Sequence, residues 1–325
     1  MRKIGIIGGG GYTAGELLRL LVHHPEVAVT HVRSESQAGK PLHAVHQDLI
    51  GETDLLFSGG DAGEGGMLST LDAVFLCMGH GRSKGWVTAN AAHLEHTAII
   101  DLSSDYRLDD DWVYGLPEVN REATRDHRRI ANPGCFATAV QLALLPLVTA
   151  GLAEQELHVN GMTGSTGAGQ QPLATTHFSW RNANVSVYKA FTHQHLHEIN
   201  RTLARVGRQQ TEGINFLPLR GPFARGIFVT AYVDTDWSED RLRTHFRDFY
   251  AGAAFTHVTD VNPNLKQVVN TNKGLVYVEK QNGKALVISM IDNLLKGASG
   301  QAVQNMNLAL GLDQKSGLGL KASYF

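Results

Sequence analysis

The order of apolar and polar residues differs between the two halves of the chain. In the first half, almost continuously apolar runs alternate with stretches of helical periodicity; the clearest helix is predicted over residues 12–24, with Pro25 just beyond its end. The apolar runs cover residues 3–8, 27–32, 71–77 and 98–102. Such strands, separated by helices, are typical of a parallel sheet covered on both faces. The first half is therefore predicted to be an α/β domain.

After about Gly151 the pattern changes to alternation of apolar and polar residues. It covers residues 157–162, 227–233, 275–279 and 285–290. The last two runs are separated by Gln281-Asn282-Gly283, a strong signal for a hairpin turn. We expect an α+β domain with a mostly antiparallel sheet, and then a helix over residues 300–312. The predicted first domain comprises residues 1–134 completed by 298–325, and the predicted second, catalytic and oligomerisation domain comprises residues 135–297.

A glycine-rich stretch links the first predicted strand to the first predicted helix. Gly8, Gly11 and Gly15 have a spacing that is a variant of the dinucleotide-binding fingerprint, in which the turn and the helix N-terminus hold a pyrophosphate. The fold class expected is therefore a Rossmann-type α/β domain plus the α+β domain. The residues predicted to bind the dinucleotide here are Gly8, Gly10, Gly11, Tyr12 and Thr13.

The end of the second strand discriminates between the two nicotinamide cofactors. An acidic residue at this position binds the ribose 2′-hydroxyl of NAD. Here Arg33, Ser34 and Ser36 are suited to a 2′-phosphate, which favours NADP(H). Glu35 complicates this interpretation because it is able to bind a ribose, and a solvated loop is the alternative without a cofactor role.

The two cysteines occupy different local contexts. Cys135 follows Asn-Pro-Gly and begins an apolar helix, where the helix dipole and unpaired N–H groups stabilise a thiolate. A nucleophile is therefore predicted at Cys135, and a small residue closing a helix cap is the structural alternative. Cys77 ends an apolar run and is predicted to be a buried hydrophobic residue.

A nucleophilic thiol needs a base, and one histidine cluster offers it. His193, His195 and His197 alternate, so an extended conformation would place all three on one face. A thiol partner is the preferred interpretation. A metal site and a polar surface strand are the alternatives, and we predict no metal.

Composition disfavours several classes of function. The chain has 325 residues, a net charge of −2, no basic block and only 2 cysteines. Nucleic-acid binding and a disulfide framework are therefore disfavoured, and the longest apolar stretch is too short to span a membrane. We expect a cytoplasmic protein in a reducing compartment.

Taken together, the motifs resemble the N-acetyl-γ-glutamyl-phosphate reductases of arginine biosynthesis, relatives of the aspartate-semialdehyde dehydrogenases. The resemblance extends over residues 8 to 304 and rests on GGGGYTAGELLRLL, RSESQAGK, DLSSDYRL, NPGCFAT, GSTGAG, FTHQHLHEI, RGI and DNLLKGASGQAVQ. It implies NADPH, an acyl phosphate substrate, a cysteine thioester and a homodimer or homotetramer.

The resemblance also implies residue roles. Cys135 matches the nucleophile, His193 the acid/base and His195 its support. Arg107 matches an arginine that meets the substrate phosphate, and Asn293 the residue that holds the nicotinamide carboxamide. The glycine loop with Gly164 and Gly167 is expected to close near the cofactor. Asn132, Glu198 and Arg225 are further predicted substrate contacts. A favourable interaction with the helix dipole is an equal alternative for Glu198. A structural salt bridge is an equal alternative for Arg225.

Departures from the family pattern leave the acyl group open. Gln194, His197 and Gln170 replace an arginine, a proline and an arginine, and Phe136-Ala137 replace Tyr-Pro. The alternatives are therefore an N-succinyl substrate, a carrier-linked aminoadipyl phosphate or aspartate semialdehyde, the last disfavoured by the double-histidine motif. A nucleotide-binding redox sensor is the non-enzymatic alternative.

Overall fold

The computed structural model describes residues 1–60, 64–207 and 213–324, and the chain divides into two compact units. Unit 1 comprises Met1–Pro133 and Ala298–Gly319. Unit 2 comprises Gly134–Gly297 together with the C-terminal residues from Leu320.

Unit 1 is built on a six-stranded parallel sheet with the strand order β2-β1-β3-β4-β6-β5. Its strands are β1 (Arg2–Ile7), β2 (Val27–Arg33), β3 (Ala73–Leu76), β4 (Ala98–Asp101), β5 (Val113–Tyr114) and β6 (Arg129–Ala131). The central strands β3 and β4 are buried along their whole length, as the continuous apolar runs predict.

Helices cover this sheet. Those described in unit 1 are α1 (Tyr12–Leu21), α2 (Glu64–Leu68), α3 (Ser83–Ala89), α4 (Pro117–Asp126) and, from the C-terminal part, α9 (Gly300–Ala309). The first helix buries Leu17, Leu18 and Leu21 and ends at Leu21, three residues before the predicted end. Helix α9 packs against α1, α4 and β4, so residues almost three hundred positions apart share one core.

Unit 2 contains a seven-stranded mixed sheet with the order β11-β12-β13-β10-β7-β9-β8. Its strands are β7 (Leu157–Thr163), β8 (Ser186–Val187), β9 (Ile214–Arg220), β10 (Ile227–Asp234), β11 (Thr256–Val258), β12 (Gly274–Gln281) and β13 (Lys284–Ile291). Of the six strand pairs that the described residues of this unit form, four are antiparallel. The predicted fold class, a Rossmann-type domain plus a domain with a mostly antiparallel sheet, is confirmed.

The predicted hairpin joins β12 to β13. Gln281 pairs with Lys284, and the two residues between them, Asn282 and Gly283, have φ of 50° and 75°. Positive φ at both positions is the signature of a type I′ turn, which asparagine and glycine adopt most readily.

One long helix fills the core of unit 2. The helices described here are α5 (Cys135–Thr149), α6 (Phe178–Arg181), α7 (Leu196–Gly207) and α8 (Glu239–Tyr250). Residues 136–148 of α5 are all buried, and the helix packs on β7, β10, β12 and β13 and against α7 and α8. Because α5 is apolar on every side, the core fixes its position and therefore the position of its first residue, Cys135.

Candidate active site

The glycine-rich loop of unit 1 has the geometry of a phosphate cradle. Gly8 has φ of +90°, and a Cβ there would lie 2.6 Å from the carbonyl carbon of Cys77. The N–H groups of Gly8 and Gly9 both donate to the Arg33 carbonyl, at 3.0 and 2.7 Å. Only glycine tolerates this turn, because both the backbone conformation and the space exclude a side chain.

The loop leads directly into α1. Gly11 stands at the N-cap of α1 and a Cβ there would meet nothing within 4 Å, so a ligand has open space beside it. Tyr12 begins the helix and is 40% exposed. The Thr13 carbonyl accepts a hydrogen bond from Ser299 Oγ at 2.8 Å, which ties the start of α1 to the C-terminal part of unit 1. An anion at this helix N-terminus would be favoured.

His46 supports the loop, and the sequence patterns do not reveal it. Its Nε2 lies 2.7 Å from the Gly9 carbonyl oxygen, and its Nδ1 would lie 2.7 Å from a Cβ on Gly15. Gly15 is therefore a glycine because the buried His46 ring packs on the helix there. The interaction spans 37 residues, so local periodicity carries no signal for it.

The residues predicted to bind the 2′ group of the adenosine ribose lie at the end of β2 and just after it. Ser34 is buried below the loop, with its Oγ 3.6 Å from a Cβ built on Gly10, and Ser36 is exposed. Arg33 pairs with two carboxylates, Glu35 and Glu64. Glu64 comes from α2, and no motif in the sequence indicates it.

Cys77 directly follows β3 rather than lying inside it. Desolvation by burial raises the pKa of its thiol to about 12, although a hydrogen bond with Thr13 opposes that shift. The thiol therefore stays protonated at neutral pH, although the residue as a whole is half-buried, where the sequence predicted a buried hydrophobic residue.

Two predicted substrate contacts of unit 1 are bound into its framework. Arg107 is buried and donates to the carbonyls of Asn132 and Leu102, at 3.0 and 3.2 Å. The Asn132 amide donates to the Ala298 carbonyl at 3.1 Å and accepts from Asn305 at 3.0 Å. These bonds hold both side chains in fixed positions at the carboxyl ends of the parallel strands, where ligands bind in open α/β sheets.

In unit 2, Cys135 is the first residue of α5 and Gly134 is its N-cap. The backbone of Gly297 lies against the thiol-bearing residue, since a Cβ on Gly297 would be 2.9 Å from the Cβ of Cys135. The Gly134 N–H donates to Glu198 Oε2 at 3.1 Å. Cys135 therefore has the helix-terminal position at which a thiolate is stabilised.

The prediction that the three histidines lie on one face of an extended segment is wrong. Residues 193–195 form a turn that enters α7, so His197 lies in the helix and is exposed. His193 and His195 are buried, with ring centroids 4.6 Å apart. The helical start, which the alternating histidines conceal, separates His197 from the other two.

The His193 imidazole sits in an aromatic cage beside α5. Its ring centroid lies 5.5 Å from that of Phe136, 5.8 Å from that of Tyr188 and 5.6 Å from that of Phe216. Burial, and then the charge of Lys189, lower the pKa of His193 to about 4. The imidazole is therefore neutral at physiological pH and able to accept a proton.

Phe136 is part of this cage, and Ala137 follows it in α5. Both are buried in the core, and Phe136 directly follows Cys135 and packs edge-on against His193. The departure at Phe136 therefore places an aromatic ring against the imidazole, and the expectation that the departure reflects the bound acyl chain stays a prediction.

Backbone strain accumulates just before the histidine pair. Lys189 and Phe191 have φ of 46° and 59°, values that non-glycine residues adopt rarely. Strain of this kind concentrates at functional sites, where the surrounding structure holds it.

Glu198 links the histidine pair to the thiol helix. It lies in the first turn of α7 and is 4% exposed. Its Oε2 accepts the hydrogen bond from the Gly134 N–H, and its Oε1 lies 3.9 Å from His195 Nε2. Glu198 thus fixes α5 and α7 relative to each other at the end that carries the chemistry.

The predicted cofactor loop of unit 2 is a tight turn closed by Asn293. A Cβ on Gly164 would lie 2.3 Å from the Ala224 carbonyl oxygen, so glycine is required there. The Asn293 amide accepts from the Gly226 N–H at 2.7 Å and donates to Thr166 Oγ1 at 3.0 Å. A Cβ on Gly167 would be 3.9 Å from the same amide. Asn293 thereby organises the loop.

Arg225 forms the salt bridge that the sequence left open as an alternative. Its Nε and Nη2 donate to the two carboxylate oxygens of Asp292, at 3.0 and 3.1 Å. The same carboxylate accepts from the N–H groups of Leu294 and Leu295, at 2.8 and 3.1 Å. Asp292, which the sequence patterns did not single out, thus shapes the turn that leads to Gly297.

Within residues 1–60, 64–207 and 213–324, no helix is long and apolar enough to cross a membrane. Over the same ranges, no three His, Cys, Asp or Glu side chains are grouped closely enough to hold a metal ion.

Solved structures of low sequence identity share this fold. Aspartate semialdehyde dehydrogenase II from Vibrio cholerae matches with a TM-score of 0.74 and 18% identity, over 95% of this chain and 98% of that chain. Aspartate semialdehyde dehydrogenase with NADP from Candida albicans matches with a TM-score of 0.70 and 14% identity, over 96% and 99%.

Sequence comparisons identify the family. Residues 3–127 match the family model of the semialdehyde dehydrogenase NAD binding domain, and residues 135–293 match that of the semialdehyde dehydrogenase dimerisation domain. The N-acetyl-gamma-glutamyl-phosphate reductases of Parabacteroides distasonis and Christiangramia forsetii are each 52% identical over 328 residues, covering 100% of both chains. The chain therefore belongs to the N-acetyl-gamma-glutamyl-phosphate reductase family of semialdehyde dehydrogenases.

Proposed function

We propose that the chain reduces N-acetyl-γ-glutamyl phosphate to N-acetylglutamate 5-semialdehyde, with release of phosphate, as a step of arginine biosynthesis. The names of relatives that match over the whole chain support this substrate. The observation that carries the proposed mechanism is the position of Cys135, at the N-terminus of the buried helix α5 and next to the residue that packs on a neutral His193.

The first step is acylation of Cys135. His193 takes the thiol proton, because its lowered pKa keeps the imidazole neutral and available as a base. The helix N-terminus stabilises the thiolate, which attacks the γ-carbonyl carbon. The carbon–oxygen bond to phosphate breaks and a thioester forms. The departing phosphate, which Arg107 is proposed to meet, takes one proton from solvent.

The second step is reduction of the thioester. When bound, a nicotinamide cofactor would supply a hydride to the thioester carbonyl carbon. The His193 imidazolium formed in the first step protonates the resulting oxyanion. It takes this proton back as the carbonyl re-forms and the carbon–sulfur bond breaks, which releases the semialdehyde and returns the thiolate. His195 and Glu198 are proposed to keep the imidazole oriented. Tyr188 remains protonated, because burial and, to a smaller extent, the charge of Cys135 raise its pKa to about 12.

The residues of the glycine loop fit a dinucleotide. Gly8 can turn with φ of +90° only because it has no side chain, and Gly11 leaves open space at the start of α1. With Gly10, Tyr12 and Thr13 these residues would hold the pyrophosphate. Arg33, Ser34 and Ser36 would meet a 2′-phosphate, so NADP(H) is the proposed cofactor, and Asn293 with Gly164 and Gly167 is proposed to border the nicotinamide.

The experiment that tests this function is the reverse reaction. N-acetyl- and N-succinyl-glutamate semialdehyde and aspartate semialdehyde are each supplied with phosphate and with NADP or NAD. Fast NADPH formation with the N-acetyl substrate supports the proposal. Turnover confined to aspartate semialdehyde would favour the activity named for the structures of similar fold. Tight NADPH binding without any turnover would favour a redox sensor.

A homodimer or homotetramer is the proposed assembly, in the cytoplasm. Side chains on the second face of the unit 2 sheet stay half-buried, as the alternating burial of β7 and β10 shows. The stacked pair His158 and Tyr232 lies on this face. A half-buried sheet face is suited to packing against a second copy, and unit 2 matches a domain named for dimerisation. Sedimentation equilibrium distinguishes dimer, tetramer and monomer.

A further inference from the structure

Two carboxylates from different parts of unit 1 hold Arg33. Glu35 accepts hydrogen bonds from Arg33 Nη2 and, at 2.9 Å, from its Nε. Glu64 accepts from Nη1 at 2.6 Å. One guanidinium and two carboxylates carry a combined charge of −1, so the predicted 2′-phosphate ligand already has two competitors.

The cluster lies beside the phosphate cradle. The Arg33 carbonyl accepts from the N–H groups of both Gly8 and Gly9. A Cβ on Gly60 would lie 2.4 Å from Arg33 Nη2, so the backbone there closes over the Arg33–Glu35 pair. In dinucleotide-binding folds the end of this strand meets the 2′ position of the adenosine ribose. The cluster therefore stands where a 2′-hydroxyl and a 2′-phosphate are distinguished.

The two carboxylates differ in how easily they can be replaced. The Glu64 side chain is 11% exposed, and its other oxygen lies 3.3 Å from His31 Nε2. Displacing it would leave a buried carboxylate without its cation, which is costly. The Glu35 side chain is 68% exposed, so solvent compensates when it leaves Arg33.

We propose that Glu35 sets the cofactor preference of this chain by competing with the 2′-phosphate of NADPH for the Nε and Nη2 edge of Arg33. Both Arg33 bonds go to Oε1 of Glu35, and Oε2 is the oxygen that would accept the 2′-hydroxyl of NADH. Glu64 holds the opposite edge of Arg33 with either cofactor. The inference rests on the proposed nicotinamide-dependent function and predicts that NADH is also bound.

The test measures the dissociation constants of NADPH and NADH by fluorescence titration of the full chain without substrate. Glu35→Gln is expected to strengthen NADPH binding and weaken NADH binding, shifting their ratio about tenfold toward NADPH, because one negative charge beside a phosphate is removed. Glu64→Gln is expected to weaken NADPH binding, because Arg33 loses its buried anchor. The matched control Glu122→Gln removes an exposed carboxylate that also pairs with arginines and leaves both constants unchanged.

A ratio for Glu35→Gln within twofold of the wild-type value would overturn the proposal. An equal shift in Glu122→Gln would also overturn it, since the effect would then be one of net charge. Failure of the proposed function has a different signature: the cofactor ratio responds to Glu35→Gln as expected, while the wild-type protein reduces no acyl phosphate.

Discussion

Cys77 in unit 1 and Cys135 in unit 2 show how the same side chain acquires opposite properties. Cys77 directly follows a strand, and its N–H completes the sheet ladder by donating to the Ile7 carbonyl at 2.7 Å. Burial raises the pKa of its thiol to about 12. Cys135 instead begins a fifteen-residue helix whose N-terminal dipole favours a negative charge. Backbone position, more than residue type, therefore decides which thiol is suited to reaction.

The largest expected effect is that of replacing the Cys135 thiol by a hydroxyl, compared with the same replacement at Cys77. Cys135→Ser is expected to lower turnover roughly 10³-fold or more, because an alcohol is scarcely ionised near neutral pH and an ester accepts hydride poorly. Cys77→Ser is the matched control and is expected to retain turnover within about threefold. Steady-state rates in the reverse direction measure both. Similar losses in the two variants would remove the distinction between the cysteines.

His193 extends the comparison to the base. His193→Gln is expected to slow acylation about 10²- to 10³-fold, the usual contribution of a positioned base. In the wild-type protein the rate should fall as the pH approaches the His193 pKa of about 4, since protonation removes the base. The variant should lose this acidic limb. A single-turnover pH profile is the measurement, and an unchanged limb in the variant would assign the base elsewhere.

A substitution in the glycine loop tests whether the backbone around Cys77 is as tightly constrained as its geometry indicates. Gly8→Ala is expected to destabilise the protein by about 2 kcal/mol, because φ is +90° and the new Cβ would approach the Cys77 backbone to 2.6 Å. Gly10→Ala is the control, since its Cβ would meet Ser34 Oγ only at 3.6 Å. Urea unfolding measures both. Equal destabilisation would show that the loop, rather than the special conformation of Gly8, is sensitive.

The smallest expected effect is on stability and pH. A histidine with a folded-state pKa of about 4 and an unfolded value near 6.5 stabilises the protein fully above pH 6.5 and loses this contribution as the pH falls toward 4. Between pH 7 and pH 5 the wild-type free energy of unfolding should therefore fall by on the order of 1 kcal/mol more than that of His193→Gln. Urea titrations at the two pH values decide this, and parallel slopes would contradict the lowered pKa.

Local patterns in the sequence predicted the elements whose causes are local. The strand, turn and helix around Gly8, the Asn282-Gly283 hairpin and the helix that begins at Cys135 each follow from neighbouring residues. His46, Glu64 and Asp292 escaped prediction because each is held by a partner distant in sequence. These partners are Gly9 for His46, Arg33 for Glu64, and Arg225 and Asn270 for Asp292; they lie 22 to 67 residues away, where neither periodicity nor a short motif reaches. The prediction of an extended segment over the three histidines was wrong for a related reason. The packing of α7 makes this stretch a turn and a helix, although the alternating histidines favour a strand.

The central claim, that Cys135 carries a thioester, is tested most directly by trapping the acyl enzyme. The wild-type protein is mixed with N-acetylglutamate semialdehyde and NADP in phosphate-free buffer, so that oxidation proceeds and release of the acyl group is blocked. We expect a burst of about one NADPH per active subunit. The peptide that contains Cys135 should gain the mass of the N-acetylglutamyl group. A full burst with an unmodified Cys135, or with the acyl group on Cys77, would contradict the account.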